Sequence, residues 1–461
     1  MRSATIDLVS IERALPVPGT AALDAAAAAL ADRGVRMVAG TMVNNAGLTL
    51  AKTVSPDRLG TFARAGLGAS PTWNVFCIDG GIAFTPDLGV VGDMRLRLDI
   101  DALVVLEGGL AWAPIELFDQ AGEPLPIDAR GRLRQVQRDV EDTGLEVLAG
   151  HELEFVVTGA DGEAFARPGW TPYGLGPVID HEAFLADVLT ESDAAGLGLE
   201  QLHAEYVSGQ FEFSLPPARP VQAADATVLA RLIVGRIARR HGLRASFSPF
   251  PFAGGGGNGA HIHFSFSRNG EPVFSGGDGP YGITAEGGAA IGGLVEALPG
   301  IQAVLGGSIL SGARLQPGYW SGAFACWGRE NREAAVRFLE ATPGNPYGAN
   351  VEVKPVDPSA NPYLSSAAIL GAALEGIRAQ AALPDEVTEN PADVAAEHGI
   401  AQLPSALAPA LEALRGSEIA SRVLGPEIVA AIGAVRGWEL EHHGETAPDD
   451  LPARFRFAWS I

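Results

Sequence analysis

Apolar and polar positions change period several times along this chain, and the changes predict its elements. An alanine-rich stretch at 21–31 that ends near Gly34 reads as an amphipathic surface helix. Residues 35–50 alternate loosely and turn at Asn45-Ala46-Gly47, a hairpin signal. Short apolar runs at 76–83, 94–98 and 103–106 predict further strands. The turn-rich Gln120-Ala121-Gly122-Glu123-Pro124 marks a boundary, so residues 1–123 read as a small sheet-rich domain and 124–461 as a larger one. In the larger domain helices and strands mix. Helices are expected at 130–143, 183–195, 223–241, 285–298 and 367–382, strands at 145–157, 199–206, 209–215 and 261–267, and a helical cap over 404–442. The fold class is α+β.

Composition narrows the function. Apolar residues make up 47% and charged residues 19%, the balance of a globular protein. The net charge of -23 excludes nucleic acid as a partner, because phosphates would be repelled. No run of about twenty apolar residues predicts a membrane span, and residues 1–10 lack the basic and apolar regions of a signal peptide. Two cysteines, Cys77 and Cys326, form no disulfide framework and suggest a reducing cytoplasm.

The chemistry-bearing residues come in an ordered series of motifs. HELEF at 151–155 puts Glu152 and Glu154 on one strand face, where a cation would relieve their repulsion; an exposed strand face is the alternative. EYVSGQFEF at 205–213 flanks a turn with Glu205 and Glu212, which either meet in one pocket or are two solvated glutamates. GNGAHIHFSF at 257–266 presents His261 and His263 on one strand face after a glycine loop, as ligands or as structural histidines. Arg314, Arg329, Arg332 and Arg337 offer guanidinium forks for phosphate or carboxylate, or a solvated basic face. Glu352 and Lys354 share a strand face, and 357–363 reads as a helix entry capped by Asn or Ser. Together these supply oxygen and imidazole ligands for two hard divalent cations and arginines for a polyphosphate, the equipment of ATP-driven acyl activation.

In this order and spacing the motifs resemble the glutamine synthetase family, over essentially the whole chain. The resemblance implies an N-terminal β-grasp domain and a catalytic domain built on a curved antiparallel sheet. It also implies active sites between subunits of stacked rings, in the type I form a dodecamer of two hexameric rings. It assigns one metal site to Glu154, Glu205 and Glu212 and another to Glu152, His261 and Glu352, for two or three Mg²⁺ or Mn²⁺ ions per active site. It matches Glu200, His263, Ser265, Arg332 and Arg337 to ATP, the last two also as catalytic arginines. Gly257, Asn258, Arg314 and Lys354 match the glutamate site, with Trp320 beside them. The implied chemistry transfers the ATP γ-phosphate to a γ-carboxylate, and an amine then displaces it.

Departures from the family pattern bear on the amine. Where the family segment RLVPGYEAP carries a glutamate that closes over the site, this chain has Trp320. Where the family's DGSS supplies an aspartate, it has Gly68-Ala69-Ser70-Pro71. Both anionic partners of ammonium are missing, and an aromatic surface suits a larger amine. RIEVR becomes Asn350-Val351-Glu352-Val353-Lys354, which keeps the charge and loses the fork. The expectation is a glutamate–amine ligase of the γ-glutamylpolyamine or γ-glutamylethanolamide kind. An ammonia-dependent glutamine synthetase and a non-catalytic ring-forming relative remain as alternatives.

Overall fold

The computed structural model describes residues 19–165 and 169–461, so residues 1–10 lie outside the described residues. The first sheet holds β1 (Met37–Val43), β2 (Thr49–Val54), β3 (Leu67–Ala69), β4 (Met94–Leu98), β5 (Val104–Leu106) and β6 (Leu110–Phe118). Its order is β2-β1-β6-β4-β3 with β5 on β6, and β1 runs parallel to β6. The predicted hairpin joins β1 to β2, where Asn44 Oδ1 accepts the N–H groups of Ala46 and Leu48. The strand expected at 76–83 is absent. Asp79-Gly80-Gly81 turns the chain back, leaving a single bridge from Phe76 to Ile82, and Gly81 is pressed against Trp438.

The second sheet holds β7 (Leu145–Gly159), β8 (Gln201–Ala204), β9 (Gln210–Ser214), β10 (Leu243–Ser246), β11 (Ile262–Arg268), β12 (Glu271–Pro272), β13 (Phe324–Arg329), β14 (Ala334–Leu339) and β15 (Asn350–Val353). Its order is β13-β14-β15-β11-β7-β9-β8, with β10 on β7 and β12 on β11, curled into a half-barrel. All its pairs are antiparallel except β13 with β14, so the expected antiparallel sheet carries one parallel pair.

Helices Ala129–Glu141 and Pro220–Arg240 pack against β7, and Ala285–Leu305 against β13. Helix Ala285–Leu305 runs past the predicted end, through Pro299, and crosses helix Pro362–Ala379 at Gly293 and Gly376. A Cβ on Gly293 would lie 2.3 Å from Gly376 Cα, so this crossing requires glycine. Ala285–Leu305 is long and apolar enough to span a membrane, but it is buried inside the protein. Asn361 caps the second helix as expected, accepting from the N–H groups of Tyr363 and Leu364. The tail folds as helices Leu407–Gly416, Glu418–Leu424 and Pro426–His443.

A buried ion cluster ties the first sheet to the helices beneath the second. Arg130, near the start of helix Ala129–Glu141, bonds Asp99 and Glu116 at 2.7 Å and Asp225 at 2.8 Å. Asp225 also accepts the Tyr363 hydroxyl. One guanidinium thus satisfies three buried carboxylates from different elements.

Candidate active site

Glu152 and Glu154 share one face of β7, while Leu153 and Phe155 pack into the core behind it. Register then lays two rows across that face. In one, His203 of β8 lies opposite Glu212 of β9, and Glu212 opposite Glu154. In the other, Arg337 of β14 lies opposite Glu352 of β15, and Glu352 opposite His263 of β11. His263 faces Gly150 on β7, which has no side chain to intrude.

His261 bridges the rows. Its Nδ1 is 3.4 Å from Glu352 and 3.6 Å from Glu152, and its Nε2 is 4.0 Å from Glu154. His263 Nε2 is 3.5 Å from Glu152, and its Nδ1 meets Asn350 Oδ1 at 2.9 Å. His203 Nε2 is 3.1 Å from Glu205 and 3.6 Å from Glu212. Three overlapping groups have ligand atoms within 4.8 Å of one another: Glu152, His263 and Glu352; Glu152, Glu212 and His261; His203, Glu205 and Glu212.

The glycine loop closes over this patch. The Gly259 N–H donates to Glu154 Oε2 at 2.8 Å. A Cβ on Gly259 would lie 2.6 Å from His261 Nε2 and 2.9 Å from both Arg314 Nη2 and Glu154 Oε1. Gln210 Nε2 holds the loop by donating to Glu154 Oε2, the Gly257 carbonyl and Asn258 Oδ1, each at 2.9 Å. Arg314 is buried behind the loop and donates Nη2 to the Lys354 carbonyl at 3.1 Å. The same nitrogen lies 3.2 Å from His261 Nε2. Lys354 is buried and donates Nζ to Glu352 Oε1 at 3.2 Å, while Arg337 Nη1 holds Glu352 Oε2 at 3.1 Å.

Crowded carboxylates give the patch its electrostatic character. Burial, then the charges of Glu154, Glu152 and Glu205, hold Glu212 well above the usual carboxylate range. For Glu152 burial also opposes ionisation, but bonds from His261 and His263 outweigh it and hold the carboxyl low. The Glu205 bond raises His203. Such a surplus of carboxylates beside imidazoles is a donor set for hard divalent cations, and a cation would relieve the strain on Glu212.

The structure gathers Glu152, Glu154, Glu205, Glu212, His261, His263, Glu352, Arg314, Arg337 and Lys354 into this site. His261 Nδ1 lies between Glu152 and Glu352, and Glu154 stands opposite Glu212, while ligand atoms also gather as Glu152, Glu212 and His261 and as Glu152, His263 and Glu352. Asn258 is fully buried, its side chain spent on Ser248 and Gln210. Glu200 is exposed just before β8, and Arg332 is exposed on the β13–β14 turn. Ser265 points along the face of His263 into a cleft of about 780 Å³ lined also by Leu148, Arg219, Phe266 and Tyr347. Trp320 stands exposed in the left-handed region, with φ 53°.

Two ring side chains at the carboxylate patch escaped sequence reasoning. His203 is one, although its alternation with Glu205 was a readable signal. Tyr173 is the other; it stacks on His203 at 6.3 Å between ring centres, and no motif pointed to it. Burial and the adjacent Glu205 push its hydroxyl pKa up.

The profile described as "Glutamine synthetase, catalytic domain" matches residues 126–451. The chain belongs to the glutamine synthetase family. At that level it is a glutamate–amine ligase. It is 38% identical over 442 residues to the gamma-glutamylpolyamine synthetase GlnA3 of Streptomyces coelicolor, covering 93% of this chain and 95% of the relative. It is 31% identical over 350 residues to the glutamine synthetase of Staphylococcus aureus, covering 73% and 78%. A solved structure titled "novel glutamine synthase homolog" superposes with TM-score 0.83 at 28% identity, over 92% of this chain and 99% of that one. Apo GmaS superposes with TM-score 0.82 at 27% identity, over 91% and 96%.

Proposed function

We propose that this glutamine synthetase relative is an ATP- and divalent-cation-dependent ligase that joins the γ-carboxyl of glutamate to an amine larger than ammonia, with polyamines the foremost class. The observation that carries the reading is the pairing of a complete carboxylate–imidazole patch with an exposed Trp320 where the family has a carboxylate. The name of the Streptomyces relative supports the same choice of amine.

Glu152, Glu154, Glu205, Glu212, His261 and Glu352 would hold Mg²⁺ or Mn²⁺, with His203 and His263 at the margins. When bound, such cations supply neutralising charge for phosphoryl oxygens. The cleft at Ser265 is roomy enough for the base and sugar of ATP, and Glu200, Arg332 and Arg337 would bind it as well, the arginines at its phosphates. Arg314, Lys354 and the Gly257–Asn258 backbone would fix glutamate. A γ-carboxylate oxygen takes the terminal phosphoryl group and ADP leaves. The amine nitrogen then attacks the acyl carbon, the C–O bond breaks, phosphate departs with its electron pair, and the nitrogen gives up a proton.

We also propose the division into domains 1–123 and 124–461, the first a β-grasp unit, assembly as two stacked hexameric rings, and a cytoplasmic setting consistent with two free, buried cysteines. The deciding test is phosphate release with ATP, Mg²⁺ and glutamate against ammonium, polyamines and ethanolamine, with products weighed by mass spectrometry. Release confined to ammonium would defeat the reading.

A further inference from the structure

We propose that Glu333 is the carboxylate that receives the ammonium end of the nucleophile, an assignment that rests on the ligase reading above. Glu333 lies on the β13–β14 turn and is 8% exposed. Its Oε1 accepts the main-chain N–H of Trp320 at 2.9 Å. Its Oε2 is buried and has no hydrogen-bond partner. A buried carboxylate oxygen without a donor is costly, and it marks a place where a donor belongs.

The loop and turn that enclose that oxygen pack against the glutamate end of the site. Gly322 packs so tightly that a Cβ there would lie 2.8 Å from Lys354 Cβ and 3.0 Å from Ala335 Cα. The Lys354 N–H donates to the Ala335 carbonyl, and the Lys354 carbonyl accepts from Arg314. The loop carrying Trp320 and the turn carrying Glu333 therefore adjoin the residues assigned to glutamate. Above Glu333 the tip Gly318-Tyr319-Trp320 is exposed, and Gly318, Trp320 and Gly322 all adopt left-handed backbone. These three positions give the exposed tip its sharp turns.

The arrangement answers the missing carboxylate at position 320. Glu333 supplies a negative charge from beneath the loop. Trp320 supplies an aromatic face that can lie along a carbon chain or against a cation. One carboxylate both anchors the Trp320 backbone and leaves an oxygen free for the amine, so the seat of the loop and the amine contact share one side chain. The chemical class recognised is a primary alkylammonium with an apolar stem.

Glu333→Gln separates the two roles. Glutamine still offers an oxygen to the Trp320 N–H, but it turns the free oxygen into a donor that repels ammonium. The experiment measures KM for spermidine, putrescine and ethanolamine, and KM for glutamate and ATP, in the full-length protein and in Glu333→Gln. The expected result is a rise in amine KM of about tenfold or more, the scale of one lost charge-assisted hydrogen bond. The glutamate and ATP values should stay within about twofold, since those ligands do not meet this oxygen. Glu333→Asp, which keeps the charge one methylene short, should fall between. If an amine is turned over and its KM is unchanged in Glu333→Gln, the assignment of Glu333 is wrong and the ligase reading stands. If the parent protein uses none of these amines, both fall together. A variant that no longer melts cooperatively hands the decision to Glu333→Asp, where an amine KM equal to the parent's overturns the assignment.

Discussion

Glu212 of β9 and Glu154 of β7 stand directly opposite each other across the sheet, with Glu152 and Glu205 close by. Burial first, and then these like charges, push the Glu212 pKa up and favour its protonated form. The sign follows from linkage. A folded-state pKa raised above the unfolded value gives stability that is complete below the ordinary carboxylate range and is lost as pH rises through the raised value. A divalent cation replaces that proton, so its benefit must grow in the same direction. Thermal melting with and without Mg²⁺ should show a larger Mg²⁺-dependent rise at about pH 8 than at about pH 5. At about 100 times its dissociation constant the ion adds about 2.7 kcal/mol, a shift of a few degrees. Equal curves with and without the ion at both pH values would refute a cation site here.

Gly259 offers a sharper probe because its backbone is not left-handed and alanine there carries no conformational penalty. The added methyl must occupy space 2.6 Å from His261 Nε2 and 2.9 Å from Glu154 Oε1. Gly259→Ala should therefore fold and yet bind Mn²⁺ at least about tenfold more weakly, because misplaced ligands lose the geometry a cation needs. Calorimetric titration with Mn²⁺ checks this, and wild-type affinity in the variant would show that the loop is not part of the site.

Arg337 is held from both sides, by Glu352 at 3.1 Å and Glu330 at 2.5 Å. A guanidinium already locked in place meets phosphate oxygens with little reorganisation. Arg337→Met should lower kcat by about 10²-fold, the usual scale for removing one preorganised donor from a transition state. Single-turnover measurement of acyl-phosphate formation is the readout. A variant that forms the acyl phosphate at the parent rate would move Arg337 out of the catalytic machinery.

The fold was largely legible because its long elements have strong periods. The strand at 145–157, the helix at 223–241 and the capped entry at Asn361 all appear near their expected places. The strand expected at 76–83 failed because an apolar run cannot reveal that Asp79-Gly80-Gly81 folds it back on itself. The two glutamates of β7 were visible as a same-face pair, since alternation in a strand is local. Their grouping was not, because register decides it: Glu212 reaches Glu152 and His261 only through the pairing of β9 with β7. Glu333 was equally invisible, because its burial depends on a loop that precedes it by more than ten residues.

Arg130 is predicted to be the most damaging position for stability. It faces Asp99, Glu116 and Asp225, and burial alone would disfavour its charge, yet Asp225 and Glu116 hold its pKa well above the ordinary value. Arg130→Met leaves three buried carboxylates without their shared cation, with a cost of about 3–5 kcal/mol, the scale of breaking one buried pair. Urea unfolding should show the loss. A change within about 0.5 kcal/mol, the range of a neutral surface substitution, would mean that water already solvates the cluster.

Restoring an acid at position 320 reverses the change that Trp320 represents. If the exposed indole has displaced a carboxylate that otherwise serves ammonium, restoring the acid should restore some use of ammonium. Trp320→Glu introduces a second negative charge beside Glu333 and removes the aromatic face. Both changes favour a small, strongly hydrated cation over one with an apolar stem, because the first needs charge and the second needs area. The left-handed backbone at this position strains tryptophan and glutamate alike, so the swap adds little conformational cost. The kcat/KM for ammonium should rise and that for the preferred amine should fall, so that their ratio moves by about 10²-fold or more, as loss of a buried apolar contact and gain of a charge partner each contribute about tenfold. Competition assays with both nucleophiles present read the ratio directly from product masses. A ratio that does not move would mean that selection of the amine happens elsewhere, with Tyr173 and His203 the next residues to change.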